Sequence, residues 1–246
     1  MDRVTSASDE QVVAARLSEL AAQYELPADG APRLRKLLDL VQQSHHSLTA
    51  VRDPVAGVEV HIADSLAGLE LEALQTAGVI ADLGSGAGFP GLVLALARPK
   101  ARVVLVESVG KKAVFLEEAA EELQLANVEV VGGRAEAWEA GLGECDAVTA
   151  RALARLDILL EYAAPLLRVD GVLVAWKGKR DKGEETAAWK AGKVLGMEAP
   201  VPTTVAGPDG SDRHLYLSKK LRPTPAGDPR RPGMAAKRPL GGSSQA

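Results

Sequence analysis

Val79-Ile80-Ala81-Asp82-Leu83-Gly84-Ser85-Gly86-Ala87-Gly88-Phe89-Pro90-Gly91 is the stretch whose reading decides the fold. Val79 to Leu83 is short and mostly apolar, which suits a parallel strand covered on both faces. The glycines let the backbone turn sharply and come close to a ligand. Pro90 suits the first position of a helix, where its missing N–H costs nothing. Leu92, Val93, Leu94, Leu96 and Ala97 supply that helix's apolar face, and Pro99 stops it. Arg102 to Val106 then reads as a second strand ending in Glu107.

Two ligands compete for such a loop. Gly86 to Gly91 matches G-x-G-x-x-G, and Glu107 lies 21 residues after Gly86, as a dinucleotide fingerprint asks. In that register, however, Asp82, Gly84 and Ser85 intervene between the strand and the first glycine. Asp82 would also set a carboxylate beside a pyrophosphate, where like charges repel. S-adenosylmethionine carries a sulfonium and an ammonium and no phosphate, so an acidic lip attracts it. Glu107 can accept from both ribose hydroxyls in either case. The loop is therefore predicted to take S-adenosylmethionine, with Gly84, Ser85, Gly86 and Gly88 around it.

Outward from this stretch, residues 79 to about 221 alternate strand and helix. Elements are expected at Arg102–Ser108, Lys111–Leu125, Val128–Gly132, Asp146–Ala150, Leu156–Leu167, Gly171–Trp176 and Glu184–Leu195. Two further strands are expected near Glu198–Val205 and His214–Leu221, with the second antiparallel at its end of the sheet. This rhythm calls for a mostly parallel α/β sheet with helices on both faces and an antiparallel strand; together with the donor-binding loop it gives the expected fold, a Rossmann-like domain of the class I S-adenosylmethionine-dependent methyltransferase type. Residues 1–75 read as an N-terminal helical extension. Val12, Val13, Leu17 and Leu20 mark one helix, Leu34, Leu37, Leu38 and Val41 a second, and Val58, Ile62, Leu66 and Leu69 a third. Residues 76–222 form the cofactor-binding domain, and 223–246 a basic, flexible tail.

Composition narrows the class. The 246 residues are 46% apolar, enough for one sizeable core and a small extra unit. No long apolar run spans a bilayer and Met1-Asp2-Arg3 opens no signal peptide, so no membrane role and a cytoplasmic location are expected. Cys145 is the only cysteine, and His45, His46, His61 and His214 lack zinc spacing, so no metal is expected. Net charge is −4, but unevenly spread. Arg213 to Ala246 holds 8 of the 29 basic and 1 of the 33 acidic residues, +7, and leaves −11 on the remainder. Such a basic end suits RNA phosphates, or is simply a solvated tail. Aromatic content of 3% speaks against stacking a long single strand.

Ligand chemistry in such sheets gathers at the carboxyl ends of the strands. That rim collects Asp82–Gly88, Glu107–Ser108, Arg134–Glu136, Arg151 and Lys177–Arg180. Glu136 suits the adenine edge, though it also reads as an ordinary loop acid. Arg151 sits on the substrate side, with Asp157 as a possible salt-bridge partner. Lys111 and Lys112 open a helix, where the macrodipole disfavours cations, and a nearby phosphate would rationalise them. Thr149-Ala150-Arg151-Ala152 stands where exocyclic-amine methyltransferases carry an Asp/Asn-Pro-Pro-aromatic tetrapeptide, which disfavours that target. Cys145 opens its strand at the wrong end for carbon-5 methylation and reads as a small hydrophobe. A ring nitrogen, a hydroxyl or a small molecule is left.

Several motifs, in order, resemble the bacterial small-subunit ribosomal RNA guanine-N7 methyltransferases of the RsmG (glucose-inhibited division protein B) family. They are Gly84 to Gly91, Glu107-Ser108-Val109-Gly110-Lys111-Lys112, Gly133-Arg134-Ala135-Glu136 and Thr149-Ala150-Arg151-Ala152. Leu48-Thr49-Ala50-Val51-Arg52-Asp53 and His61-Ile62-Ala63-Asp64-Ser65-Leu66 resemble that family's helical lead-in. Pro229-Arg230-Arg231-Pro232-Gly233 and Lys237-Arg238-Pro239-Leu240 resemble its basic tail. Asp228 replaces a tyrosine expected before the tail, and Ser47 stands where asparagine is frequent.

The resemblance implies methyl transfer to N7 of one guanine of 16S rRNA, in a hairpin near the decoding centre. The expected partner is 16S rRNA or the small-subunit particle, and the chain is expected to be a monomer. It implies that Gly84, Phe89, Ala135, Glu136 and Arg151 contact the donor or line its pocket, which moves Arg151 to the cofactor side. Lys111, Lys112, Arg230, Arg231, Lys237 and Arg238 are the RNA-binding candidates, and no general base is assigned. The alternatives are a small-molecule methyltransferase and a non-catalytic RNA-binding assembly factor.

Overall fold

Ile80 to Leu83 are all buried, so β1 (Val79–Leu83) takes the middle of the sheet. The computed structural model describes residues 7–44, 48–51, 53–206 and 212–242. His45, His46, Ser47 and Arg52 of the sequence reading lie outside the described residues, as do 1–6 and 243–246. The strands are β1, β2 (Arg102–Glu107), β3 (Val128–Gly132), β4 (Cys145–Arg151), β5 (Leu167–Lys177), β6 (Val201–Ala206) and β7 (Asp212–Lys219). Their spatial order is β3-β2-β1-β4-β5-β7-β6, with β7 alone reversed against the parallel set.

The expected antiparallel strand is present, but it is inserted, not terminal. β7 pairs antiparallel with β5 on one edge and with β6 on the other, and Leu215 and Tyr216, on its opposite faces, are both buried. β6 carries Pro202, which cannot donate to a ladder, and exposes Val201; it takes the edge.

The helices are α1 (Ala7–Gln23), α2 (Gly30–Gln43), α3 (Pro54–Gly57), α4 (Asp64–Leu66), α5 (Glu72–Thr76), α6 (Gly91–Ala97), α7 (Gly110–Glu122), α8 (Leu156–Ala163), α9 (Lys182–Leu195) and α10 (Met234–Lys237). A π-helical turn over Val58–Ala63 joins α3 to α4. The third helix of the sequence reading is thus broken, yet Val58, Ile62 and Leu66 are buried as their spacing required. The N-terminal helices have no separate core: Leu17, Leu34, Leu37 and Ile62 pack into one cluster with Leu92, Leu94 and Phe115 on one face of the sheet. Arg33 donates to the carbonyls of Leu123 and Gln124, where α7 ends and cations are favoured. α8 and α9 cover the other face.

Two expectations change here. Pro90 is the residue before α6, not its first helical residue. The segment from 223 to 242 is not a free tail. Arg230 places the Nε–Nη2 edge of its guanidinium on both carboxylate oxygens of Glu161 of α8, at 2.5 and 2.6 Å, and Ala235 is buried. Glu161 is only 2% exposed and requires a cation, which composition alone could not reveal.

Candidate functional site

The mouth of the glycine loop is organised by two carboxylates with different tasks. Glu107, at the end of β2, accepts from the N–H of Gly86 at 2.9 Å and from Val109 at 2.8 Å. One side chain therefore ties the loop after β1 to the loop after β2. Gly86 has φ +57°, and a Cβ there would make only an ordinary contact with the Gly84 carbonyl oxygen at 3.7 Å, so the backbone conformation and not space favours glycine.

Asp82 is not the acidic lip that the sequence suggested. It is 1% exposed and lies beneath the loop. One oxygen accepts from Thr149 Oγ1 at 2.8 Å, the other from the N–H of Gly91 at 3.2 Å. Burial pushes its pKa up to about 6, with these hydrogen bonds opposing. Gly91 is obligatory for this arrangement, because a Cβ there would meet Leu105 at 2.3 Å and Asp82 at 2.8 Å. The first amide of α6 is thus already taken by an anion of the chain itself.

Leu83, Gly84, Val106, Ser108, Ala135 and Glu136 line a slot of about 80 Å³ at the strand ends, narrowed by Leu153 and Tyr162. This brings together Gly84, Ala135 and Glu136 as the sequence expected. Glu136 also accepts from the N–H of Gly233 at 2.9 Å, so the folded-back C-terminal segment borders the slot.

Arg151 lies on the other side of a short partition. Residues Arg151 and Ala152 line a second cavity, while Leu153 faces the slot. Ala152 takes φ +53°, which turns the chain between the two. Arg151 pairs with Asp64 at 3.0 Å, not with Asp157, which pairs with Arg155 at 3.4 Å. Its guanidinium also donates to Nδ1 of His61 at 3.2 Å. A guanidinium has only donors, so His61 carries its proton on Nε2 and donates to Thr49 Oγ1 at 2.9 Å. Burial and the charge of Arg151 lower the His61 pKa to about 4, leaving the ring neutral. That ring stacks on Phe89, centroids 4.5 Å apart and planes 7° apart. Phe89 is thus fixed against the lead-in helices and is only 7% exposed.

The second cavity, of about 240 Å³, is lined by Asp64, Arg151, Trp176, Lys177, His214 and Leu215 among others. Trp176 Nε1 donates to the Asp64 carbonyl at 2.8 Å. Sequence reasoning missed His61, Asp64, Trp176 and His214. The first two lay in the quoted lead-in motif; no local signal marks the others, which meet only across β5 and β7.

The RNA candidates divide. Arg230 is withdrawn, since its guanidinium is committed to Glu161 and to the Arg238 carbonyl at 2.8 Å. Arg231, Lys237 and Arg238 are exposed, as is Lys111, with Lys112 half-buried, and none forms an ion pair among the described residues. Cys145 is fully buried and its thiol is pushed up to about 12 by burial, an inert core group. No cluster of metal-binding side chains occurs among the described residues, and no helix there is long and apolar enough to cross a membrane.

Residues 31–216 match the family model described as GidB, rRNA small subunit methyltransferase G. The chain belongs to this family. A ribosomal RNA small subunit methyltransferase G from Rubrobacter xylanophilus is 39% identical over 242 residues, covering 92% of this chain and 93% of its own. That of Deinococcus radiodurans is 40% identical over 225 residues, covering 88% and 89%. Among solved structures, the O-methyltransferase TomG from Streptomyces achromogenes, in complex with S-adenosylmethionine, superposes with a TM-score of 0.54 at 20% identity, covering 80% of this chain and 92% of that one. The [4+2]-cyclase SpnF superposes at 0.52 and 14% identity, covering 80% and 97%. At such identity the likeness shows the fold alone, and the cyclase shows why a fold does not name a reaction. The family assignment rests on the sequence matches.

Proposed function

We propose that this small-subunit rRNA methyltransferase uses S-adenosylmethionine to methylate N7 of a single guanine of 16S rRNA near the decoding centre. The observation that carries the choice of cofactor is the position of Asp82. A dinucleotide sets its pyrophosphate on the amide end of the helix after the glycine loop. Here the Asp82 carboxylate already accepts from the Gly91 amide, so a phosphate would meet a buried anion instead of a free donor. The carboxylate opposes an anionic ligand from beneath the loop. A ligand with a ribose and no phosphate suits Glu107, whose oxygens each keep a lone pair beyond the Gly86 and Val109 bonds.

S-adenosylmethionine supplies an electrophilic methyl group on a sulfonium. The chain's residues then have positional tasks. Glu107 holds ribose hydroxyls and the loop together; Ala135 and Glu136 border the adenine; Gly84, Ser85, Gly86 and Gly88 shape the floor. Phe89, braced by His61, walls the side toward Arg151. N7 of guanine is an unprotonated acceptor, so no side chain has to remove a proton, and the neutral His61 is not a general base. Alignment of two reactants is worth about 7–11 kcal/mol when their geometry is held, which is the task of these contacts.

Family membership supports small-subunit rRNA as the substrate, and the Thr149-Ala150-Arg151-Ala152 run in place of an amine-methylating tetrapeptide supports a ring nitrogen over an exocyclic amine. Digestion of treated rRNA to nucleosides and mass spectrometry tests it: 7-methylguanosine is expected. A different methylated nucleoside, or a methylated small molecule with rRNA untouched, refutes it.

A further inference from the structure

The cavity beyond Arg151 is the larger of the two at the strand ends. It gathers side chains from α4, β4, β5 and β7. Its cations are already neutralised. Arg151 pairs with Asp64 at 3.0 Å, and Lys177 pairs with Glu184 at 2.6 Å while donating to the Ala154 carbonyl at 3.2 Å. A phosphate needs uncompensated cations and would be poorly served there. A neutral planar group with donors and acceptors on its edge would be well served. His214 Nδ1 is buried and has no hydrogen-bond partner among the described residues. Buried polar atoms are normally satisfied, and this one belongs to a ring that lines the cavity.

We propose that this cavity seats the acceptor purine and that His214 holds the base by its edge. The inference rests on the rRNA-methylating reading above and adds where the base sits. The base is taken out of its stack and enters beside Arg151, on the far side of the 151–153 partition from the adenosine slot. Trp176 forms part of the wall. His214 is a positioning and recognition residue; it moves no proton.

The test uses the full-length protein with unmethylated 16S rRNA or small-subunit particles, comparing His214→Phe and His214→Gln with the parent. Phe keeps the ring and loses the hydrogen bond; Gln keeps hydrogen-bonding capacity. For His214→Phe, kcat/KM for RNA is expected to fall about ten- to a hundred-fold, the usual effect of one buried hydrogen bond left unmade. His214→Gln is expected to recover most of it. Calorimetric affinity for S-adenosylmethionine and the thermal midpoint are expected to stay at parental values. A variant that fails to fold is replaced by photocrosslinking of the parent to RNA carrying 6-thioguanine. A crosslink within β5 or β7 is expected; one confined to the tail or to α7 overturns the proposal. Unchanged kcat/KM in His214→Phe likewise overturns it. If the parent itself methylates no rRNA, the underlying reading falls instead, and the two failures are told apart.

Discussion

Replacing Glu107 by Ala tests the hinge of the proposed donor site. In the structure its carboxylate accepts two backbone N–H groups, at 2.9 Å from Gly86 and 2.8 Å from Val109. Hydrogen bonds to a charged group are worth about 1.5–3 kcal/mol each, but Gly86 and Val109 are partly accessible and water replaces some of that. We expect a stability loss of about 1–2 kcal/mol from the unpaired amides. The ribose hydroxyls lose their acceptor as well, at about 1 kcal/mol each, and the loosened loop adds to this. The donor's affinity is expected to weaken by about 1–3 kcal/mol, or roughly 5- to 150-fold in Kd. Glu107→Gln keeps one acceptor and should fall between. Titration calorimetry with S-adenosylmethionine and S-adenosylhomocysteine reads both variants. A Kd within twofold of the parent for Glu107→Ala would refute the assignment, whatever happens to stability.

Removal of the Arg230 guanidinium (Arg230→Ala) leaves Glu161, 2% exposed, without its cation, and is expected to cost about 3–5 kcal/mol in chemical denaturation. Arg230→Met with Glu161→Leu should restore most of it; no loss in the single variant would show that the C-terminal segment is not anchored there. His61 makes stability depend on pH. Its folded pKa is about 4 against 6.5 unfolded, so the stabilisation is complete above 6.5 and is lost as pH falls from 6.5 toward 4. The span is about 3 kcal/mol at most. Asp82, raised from 3.8 to about 6, works in the opposite direction, being relieved as pH falls through the same window. The difference between parent and His61→Phe cancels that term, and equal pH slopes for the two would contradict the neutral-ring assignment. Charge reversal at Lys111 and Lys112 is expected to weaken RNA binding and flatten its dependence on salt, leaving cofactor affinity unaltered. An unchanged salt slope would make them ordinary solvated lysines.

The strand, glycine turn and helix of the loop were legible because their logic is local. Strand, glycines and helix follow one another in the chain, and Glu107 ends the adjacent strand one crossover later. The parallel rhythm from β1 to β5 was legible for the same reason, since each strand and helix carries its own period. What the sequence hid depends on contacts between distant residues. Asp82 reads as a lip because its position is at the strand end, but a strand's side chains alternate, and this one points under the loop to Thr149 and Gly91. The stack of His61 on Phe89 needs a π-helical turn, for which spacing has no signature. The C-terminal segment is rich in Pro, Gly and cations, a composition shared by free tails. Only the buried Glu161, 69 residues away, turns it into a packed strap.

The most direct measurement is transfer of labelled methyl from S-adenosylmethionine to unmethylated 16S rRNA, followed by borohydride reduction and aniline cleavage, which cuts RNA at N7-methylguanine. Label incorporation with scission at one guanine is the outcome this account requires. Label that resists cleavage would place the methyl on another atom, and absence of label from rRNA and small-subunit particles alike would contradict the account at its root.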